Sequence, residues 1–300
     1  MRDGHMILAV ASGKGGTGKT TVAASLAAVW EGAVTAVDLD VEEPNLHLFL
    51  KPEIVGRSLG NMEVPEPDES LCNLCGACSE ICQFKAITVM GKRLITFPEM
   101  CHGCGGCIAV CPEHALSAGS RELGEISWGK AGKADFLMGT LRVGEAMTPP
   151  LMRLVKAKLS GMLAERPADV ILDCPPGVSC PAINSVMDSD VIVLVTEPTP
   201  FGFHDFKLAV EAFTPLGKPM GAVINRAGIE ENSVYGFCAE NGIPILAEIP
   251  YDRGIAEAYS KGMVVATASD RLGMVFKELA GKIRELAAGT GKSQKEAAHA

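Results

Sequence analysis

Apolar and polar positions change period along the chain in a repeating way. Short apolar runs stand at 6–12 (MILAVAS), 33–40 (AVTAVDLD), 169–173 (DVILD), 190–198 (DVIVLVTEP), 219–226 (PMGAVINR) and 243–250 (IPILAEIP). Runs this short and this apolar read as strands buried on both faces. Between them lie segments with helical spacing, such as 19–30 (KTTVAASLAAVW) and 203–213 (FHDFKLAVEAF). The alternation predicts right-handed βαβ units, and so an α/β fold with a mostly parallel sheet and helices on both faces. A last helix is predicted over about 270–287, with Leu272, Val275, Phe276, Leu279, Ile283 and Leu286 as its core stripe. Residues 291–300 read as a disordered tail.

One stretch breaks the rhythm. Pro65, Pro67 and the acidic residues of 63–69 read as a linker; a cysteine-rich segment follows, and Gly119 closes it. The expected organisation is a main domain formed by 1–62 and 120–290, interrupted by an inserted module at 63–119. Several glycines and an alternating pattern over 120–148 predict a hairpin.

Composition narrows the function classes. With 47% apolar and 21% charged residues, disorder over most of the 300 residues is excluded. A formal charge of −9 argues against a general nucleic-acid or anionic-membrane binder. No apolar stretch reaches the ~18–20 residues of a membrane span. The opening MRDGHMILAVASG has too short an apolar run for a secretory signal, so a reducing cytoplasmic setting is expected. There are 11 cysteines, eight of them between 72 and 111, and in such a compartment the cluster suggests a metal site.

Residues 13–20, GKGGTGKT, fit the phosphate-loop pattern G-x-x-x-x-G-K-[ST]. The pattern follows a buried strand and precedes a helix, as the chemistry requires. Glycines let backbone N–H groups converge on phosphate oxygens, and the helix N-terminus adds its positive end. The loop residues Gly13, Gly15, Gly16, Thr17, Gly18, Lys19, Thr20 and Thr21 are the candidate phosphate cradle. Lys19 supplies a cation to the outer phosphates, and the Thr20 hydroxyl can ligate Mg²⁺.

Residues 72–82 read CNLCGACSEIC, and 101–112 read CHGCGGCIAVCP; both have the spacing C-x2-C-x2-C-x3-C. Two such runs are the signature of a bacterial-type ferredoxin with two [4Fe–4S] clusters. Three thiolates of each run face one cube, and the fourth faces away toward the other. Crossed ligation predicts Cys72, Cys75, Cys78 and Cys111 on one cluster, and Cys101, Cys104, Cys107 and Cys82 on the second. Gly76, Gly103, Gly105 and Gly106 leave backbone N–H groups free for sulfur. A zinc ribbon has two cysteine pairs at longer separation and does not match. Gln83 stands where the first motif ordinarily carries proline. His102 and His114 read as surface residues, and Cys174, Cys180 and Cys238 as buried or incidental thiols.

The second lysine in KGGTGK, Lys14, gives the loop a resemblance to the deviant phosphate loop of the MinD/ParA/nitrogenase-iron-protein ATPases. VDLDVEEPN, VILDCPPG, INR and IPYD occur in the order that family requires. The resemblance implies a deviant P-loop ATPase fold and a homodimer with ATP at its interface. Lys14 would reach across to the partner's nucleotide, and Lys14, Lys19 and Asp40 would be catalytic, Asp40 positioning the attacking water. Thr20, Asp38 and Asp173 would hold Mg²⁺, and Gly177 would sense the γ-phosphate. Asn225, Arg226, Pro250 and Asp252 would surround the base.

Taken together, the residues resemble MinD-superfamily ATPases carrying an inserted ferredoxin domain. The implied function is a dimeric Mg-ATP switch coupled to two [4Fe–4S] clusters, performing ATP-gated electron transfer to or from a redox or scaffold protein partner. An iron–sulfur assembly or carrier ATPase, and a positional switch with structural or sensory clusters, stand as alternatives. Direct nucleic-acid or membrane binding is not expected. The insertion follows Asp38 and Asp40, so movement there is expected to reach the cysteines through a short connection.

Overall fold

Side chains alternate between two cores along each central strand. Leu8 and Val10 enter one apolar cluster, while Ala9 and Ala11 enter the other, which places this strand in the middle of a sheet covered on both faces. The structure, a computed structural model, describes residues 5–228 and 233–297, with side chains to 289. Its strands are β1 (Ile7–Ala11), β2 (Val34–Asp38), β3 (Glu53–Pro67), β4 (Ile87–Met90), β5 (Arg93–Thr96), β6 (Leu116–Ala131), β7 (Ala134–Leu141), β8 (Asp169–Asp173), β9 (Val191–Thr196), β10 (Met220–Ala227) and β11 (Ile245–Pro250). The main sheet has the order β11-β10-β9-β1-β8-β2-β7-β6-β3. Pairing is parallel from β11 to β7 and antiparallel for the last two strands.

The helices are α1 (Lys19–Val29), α2 (Leu46–Leu50), α3 (Ala77–Ile81), α4 (Gly106–Ala109), α5 (Thr148–Glu165), α6 (Cys180–Val186), α7 (Pro200–Phe213), α8 (Ser233–Glu240), α9 (Arg253–Ser260) and α10 (Asp270–Ala297). α1 and α10 pack together on one face of the sheet, and α5 and α7 lie against the other. The expected stripe of α10 faces the core: Phe276, Leu279 and Ile283 are fully buried, with Leu272 and Leu286 packed beside them. The helix runs on to Ala297, past the end that the stripe predicts and into the expected tail. That extension contains no proline to end the helix, and Lys292, Gln294, Lys295, Glu296 and Ala297 favour helix beyond Gly289 and Gly291. Residues 298–300 of the expected tail lie outside the described residues. No helix among the described residues is long and apolar enough to cross a membrane.

The hairpin expected within 120–148 is β6–β7, with Ala131 paired to Ala134. The linker expected over 63–69 is instead mostly strand. β3 pairs antiparallel with β6 from Glu53 opposite Lys130 to Pro67 opposite Leu116. Pro65 and Pro67 are tolerated because β3 is an edge strand and their missing N–H groups break no inner ladder.

Register shows where this pair goes. Gly124 sits opposite both Gly60 of β3 and Leu141, the last residue of β7. Beyond that level β3 continues seven residues to Pro67, about 23 Å at ~3.3 Å per residue. β2 and β7 end on that same side, as does β1, whose end opens the phosphate loop. The two strands therefore form an arm rising from the loop side of the sheet, and it carries the cysteine segment at its tip.

That tip is internally symmetric, with a 29-residue offset. Asp68 N–H donates to Ala115 carbonyl (2.8 Å), and Phe97 N–H to Ala86 carbonyl (2.7 Å). β4 and β5 pair Ile87 with Thr96, as the base of the arm tip pairs Leu116 with Pro67. The arm thus supplies the module's second hairpin.

Gly124 is where β6 leaves β7, and a Cβ there would lie 2.0 Å from Thr140 carbonyl oxygen. Gly124→Ala is expected to lower stability by roughly 2–4 kcal/mol, read as a fall in thermal midpoint. Gly161→Ala, in α5 with open space around it, is expected to raise it by about 0.5–1 kcal/mol. Equal midpoints for the two variants would contradict this account of the junction.

Candidate functional site

β1 ends in the Gly-rich loop, and α1 begins at Lys19 behind Gly18, whose φ of 96° is a left-handed cap that glycine takes without strain. A Cβ at Gly18 would also meet Asn225 Nδ2 at 2.3 Å. The loop borders a cavity of about 570 Å³ at the C-terminal ends of the parallel strands, where open α/β sheets bind ligands. Gly15, Gly16, Gly18, Lys19, Thr20 and Thr21 line it, with Asp40 after β2. Asn225, Arg226, Pro250 and Asp252 close its other end, so most of the expected ligand residues meet in one place.

Some expected residues sit elsewhere. Gly13 packs against α7, where a Cβ would fall 1.9 Å from Asp205 carbonyl oxygen. Thr17 is buried, and its carbonyl accepts from Asn225 Nδ2 at 2.8 Å. Gly177, at φ 89°, lies outside the cavity wall, its N–H donating to Ser12 carbonyl at 2.9 Å. Asp252 also caps α9, accepting from Gly254 N–H at 2.7 Å. Glu43, Asn45, Tyr251 and Tyr259 line the cavity without having stood out in the sequence.

Three carboxylates gather behind the loop lysine. Asp38 is fully buried and accepts N–H bonds from Asp40 (3.0 Å), Asn45 (3.0 Å) and Leu46 (2.9 Å), fixing the turn after β2. Burial, then the charge of Asp173, raises its pKa well above the usual carboxylate range. Burial also raises Asp173 to about 7, against the pull of the Thr20 hydroxyl and the Lys19 charge. Asp40 rises to about 6, again by burial and against Lys19. Among the described residues neither oxygen of Asp173 has a hydrogen-bond partner of ordinary geometry, although Thr20 is near enough to lower its pKa. A buried, unpartnered carboxylate beside a threonine hydroxyl has the donor set of a Mg²⁺ site.

Lys14 does not project outward. Its Nζ pairs with Glu197 Oε1 at 2.5 Å, and Glu197 Oε2 accepts from Arg226 Nη1 at 2.8 Å. The Glu197 side chain is 8% exposed, whereas those of Lys14 and Arg226 are 28% and 49% exposed, so the desolvation falls mainly on the carboxylate. Glu197 escapes sequence reasoning because it simply ends an apolar strand. The one available signal is an acidic residue directly after VIVLVT, at a strand end facing the loop.

The cysteines converge on two small cavities. Cys72, Cys75, Cys78 and Cys111 line one, and Cys101, Cys104, Cys107 and Cys82 the other. These are the crossed sets. Gly76 and Gly105, at φ 83° and 70°, cap the short helices α3 and α4 that carry the third cysteine of each run. Cys82 Sγ accepts from Ala86 N–H, and Cys111 Sγ from Ala115 N–H, each at 3.3 Å. Burial pushes the thiols of Cys78 and Cys107 up. His102 stacks on Phe84, ring centroids 3.4 Å apart, and both line the second cavity. Among the described residues no three His, Cys, Asp or Glu side chains form a group able to hold a single metal ion. Cys174 is wholly buried, its thiol pushed up to about 12, whereas Cys180 is exposed. The two do not share a surface. Cys238 is buried as expected.

The sequence matches the family described as CobQ/CobB/MinD/ParA nucleotide binding domain over residues 8–265. Two uncharacterised proteins of Methanocaldococcus jannaschii are similar. MJ0579 is 31% identical over 86% of this chain and 90% of its own length; MJ0578 is 31% identical over 93% and 97%. Among solved structures, the cell division ATPase MinD of Pyrococcus furiosus shares the fold with a TM-score of 0.57 at 21% identity, covering 94% of this chain and 99% of its own. The septum site-determining protein MinD of Pyrococcus horikoshii, complexed with Mg-ADP, gives 0.58 at 20% identity, covering 94% and 97%.

Asp40 and Asp173 titrate near 6 and 7 instead of 3.8, so the folded state binds their protons more tightly than the unfolded state. The stability they contribute is full below about pH 4 and is lost as pH rises through those values. In protein free of nucleotide and Mg²⁺, the thermal midpoint of Asp173→Asn minus that of the wild type should therefore grow from pH 4 to pH 7. A difference that is flat or shrinking would contradict the assigned burial.

Proposed function

As the chain belongs to the CobQ/CobB/MinD/ParA nucleotide-binding family, we propose that it is a Mg-ATP-hydrolysing switch whose closed dimer gates single-electron transfer to or from a protein partner. The observation that carries this reading is the gathering of eight cysteines into two crossed sets on an arm of the sheet that also bears the phosphate loop.

Lys19 and the loop N–H groups would neutralise the outer phosphates, and Thr20 and Asp173 would hold Mg²⁺. Asp38 shapes the turn that presents Asp40, and Asp40 would orient the attacking water. Lys14, once parted from Glu197, would reach the partner copy's phosphates and stabilise charge there as an arginine finger does. Gly177 would sense the γ-phosphate after its bond to Ser12 is exchanged. Asn225, Arg226, Pro250 and Asp252 would border the base.

The two cysteine sets fit [4Fe–4S] clusters. A single ion bound at about 2.3 Å needs sulfurs within roughly 4 Å of one another, whereas a four-iron cube spreads its four ligands around a wider cavity. When bound, two such clusters supply one-electron redox chemistry. The Cys82 and Cys111 sulfurs keep amide donors that would stabilise the thiolate form. A chain of charge −9 suits a partner with a basic docking face. Free thiols at this density fit a reducing, cytoplasmic setting.

Anaerobically purified protein is expected to carry about eight irons and eight labile sulfides per chain, and to give reduced-cluster EPR signals. Mg-ATP should drive it from monomer to dimer. Lys14→Ala should abolish that shift while nucleotide still binds, and Asp40→Asn should lower turnover about 100-fold or more. Protein that hydrolyses ATP but takes up only zinc would overturn the redox reading. Loss of iron to a mild chelator, with transfer to an apoprotein, would favour the carrier alternative.

A further inference from the structure

We propose that Arg121 is a positioning residue that couples the segment after β2, Asp40 to Glu43, to the second cysteine cavity. The inference rests on the reading above and adds the route by which the two halves communicate. Arg121 lies on β6 within the arm, with its side chain 8% exposed. Its Nη1 donates to Pro98 carbonyl at 2.6 Å, and its Nη2 pairs with Glu145 at 3.0 Å. The same Pro98 carbonyl accepts from Cys101 N–H at 3.1 Å, and Cys101 lines the second cavity. One guanidinium thus fixes the carbonyl that fixes a cavity cysteine.

The other end of the relay reaches the nucleotide side. Glu145 Oε1 also accepts from Ala146 and Met147 N–H, each at 2.9 Å, which sets the entry to α5. Thr148, the first residue of α5, donates its hydroxyl to Glu42. Val41 carbonyl accepts from Leu141 N–H at 2.8 Å. Glu42 and Val41 directly follow Asp40, so a displacement of that segment loads the start of α5, then Glu145, then Arg121. Apolar packing runs alongside: Val41, Leu151, Met62 and Cys101 belong to one buried cluster. Arginine is required because two of its donors act at once in a fixed fork, which a lysine ammonium on one flexible stem does not reproduce.

The test uses the full-length holoprotein under anaerobic conditions with a non-hydrolysable ATP analogue and Mg²⁺. Hydrogen exchange is followed in the peptide spanning residues 97–104, and cluster potentials by EPR titration. In the wild type, the nucleotide should change exchange at least fivefold and move one cluster's redox equilibrium about tenfold, about 59 mV for one electron. In Arg121→Lys both responses should fall below twofold while nucleotide affinity is kept. Thr148→Val, which keeps the shape and removes only the hydroxyl bond to Glu42, should blunt them likewise, and it keeps the test decisive if the arginine variant folds poorly. Full wild-type responses in both variants overturn the relay and leave the function intact. A wild type with neither response overturns the relay and the coupled reading together.

Discussion

Two strands belong to both halves of this molecule, and the rest of the arrangement depends on their hydrogen-bond ladder. β3 and β6 are the outer strands of the main sheet at one end and a hairpin of the cysteine module at the other. A strand pair does not pivot as a flexible linker does. A one-residue slip would send Met62 and Val64 from the buried face to solvent. Gly103 closes on Met62 so tightly that a Cβ would lie 2.6 Å from its Cγ. The module's position relative to the phosphate loop is therefore set by register.

The same sharing explains how so small a module stands. Its own buried cluster contains Cys78, Ile87, Leu94, Cys107 and Leu116, and two of those five are thiols. Such a core is too thin to stabilise a fold alone. Continuity with the arm supplies one support, and bound iron would supply the other, since metal binding free energy becomes folding free energy. On the opposite side, two buried carboxylates, Asp38 and Asp173, and the half-buried Asp40 leave the nucleotide site electrostatically incomplete without a cation. On the proposed reading each site would be least stable when empty, and one sheet joins them.

Much of this was legible in the residues. Short unbroken apolar runs alternating with helical segments announce parallel strands, and the cysteine spacing announces two crossed sets, because both leave a local pattern. What escaped depends on long-range pairing. Pro65, Pro67 and their acidic neighbours have linker chemistry, and only the partner strand fifty residues later makes them a ladder. Glu197, Glu145 and Arg121 carry no motif, and each matters because of what the fold brings beside it. Lys14 was readable as a phosphate-loop lysine, but its pairing with Glu197 was not, since Glu197 lies 183 residues away in sequence.

The proposed switch turns on nucleotide binding and cluster oxidation state sharing one free-energy cycle. Linkage is reciprocal: if nucleotide shifts a redox equilibrium, oxidation state must shift nucleotide affinity by the same factor. The most direct measurement is the Kd for a non-hydrolysable ATP analogue with Mg²⁺, by titration calorimetry under anaerobic conditions, in the fully oxidised and the dithionite-reduced holoprotein. A difference of about tenfold, about 1.4 kcal/mol, is the result predicted for a redox-coupled switch. Equal affinities in the two oxidation states, with both clusters present and reducible, would contradict it.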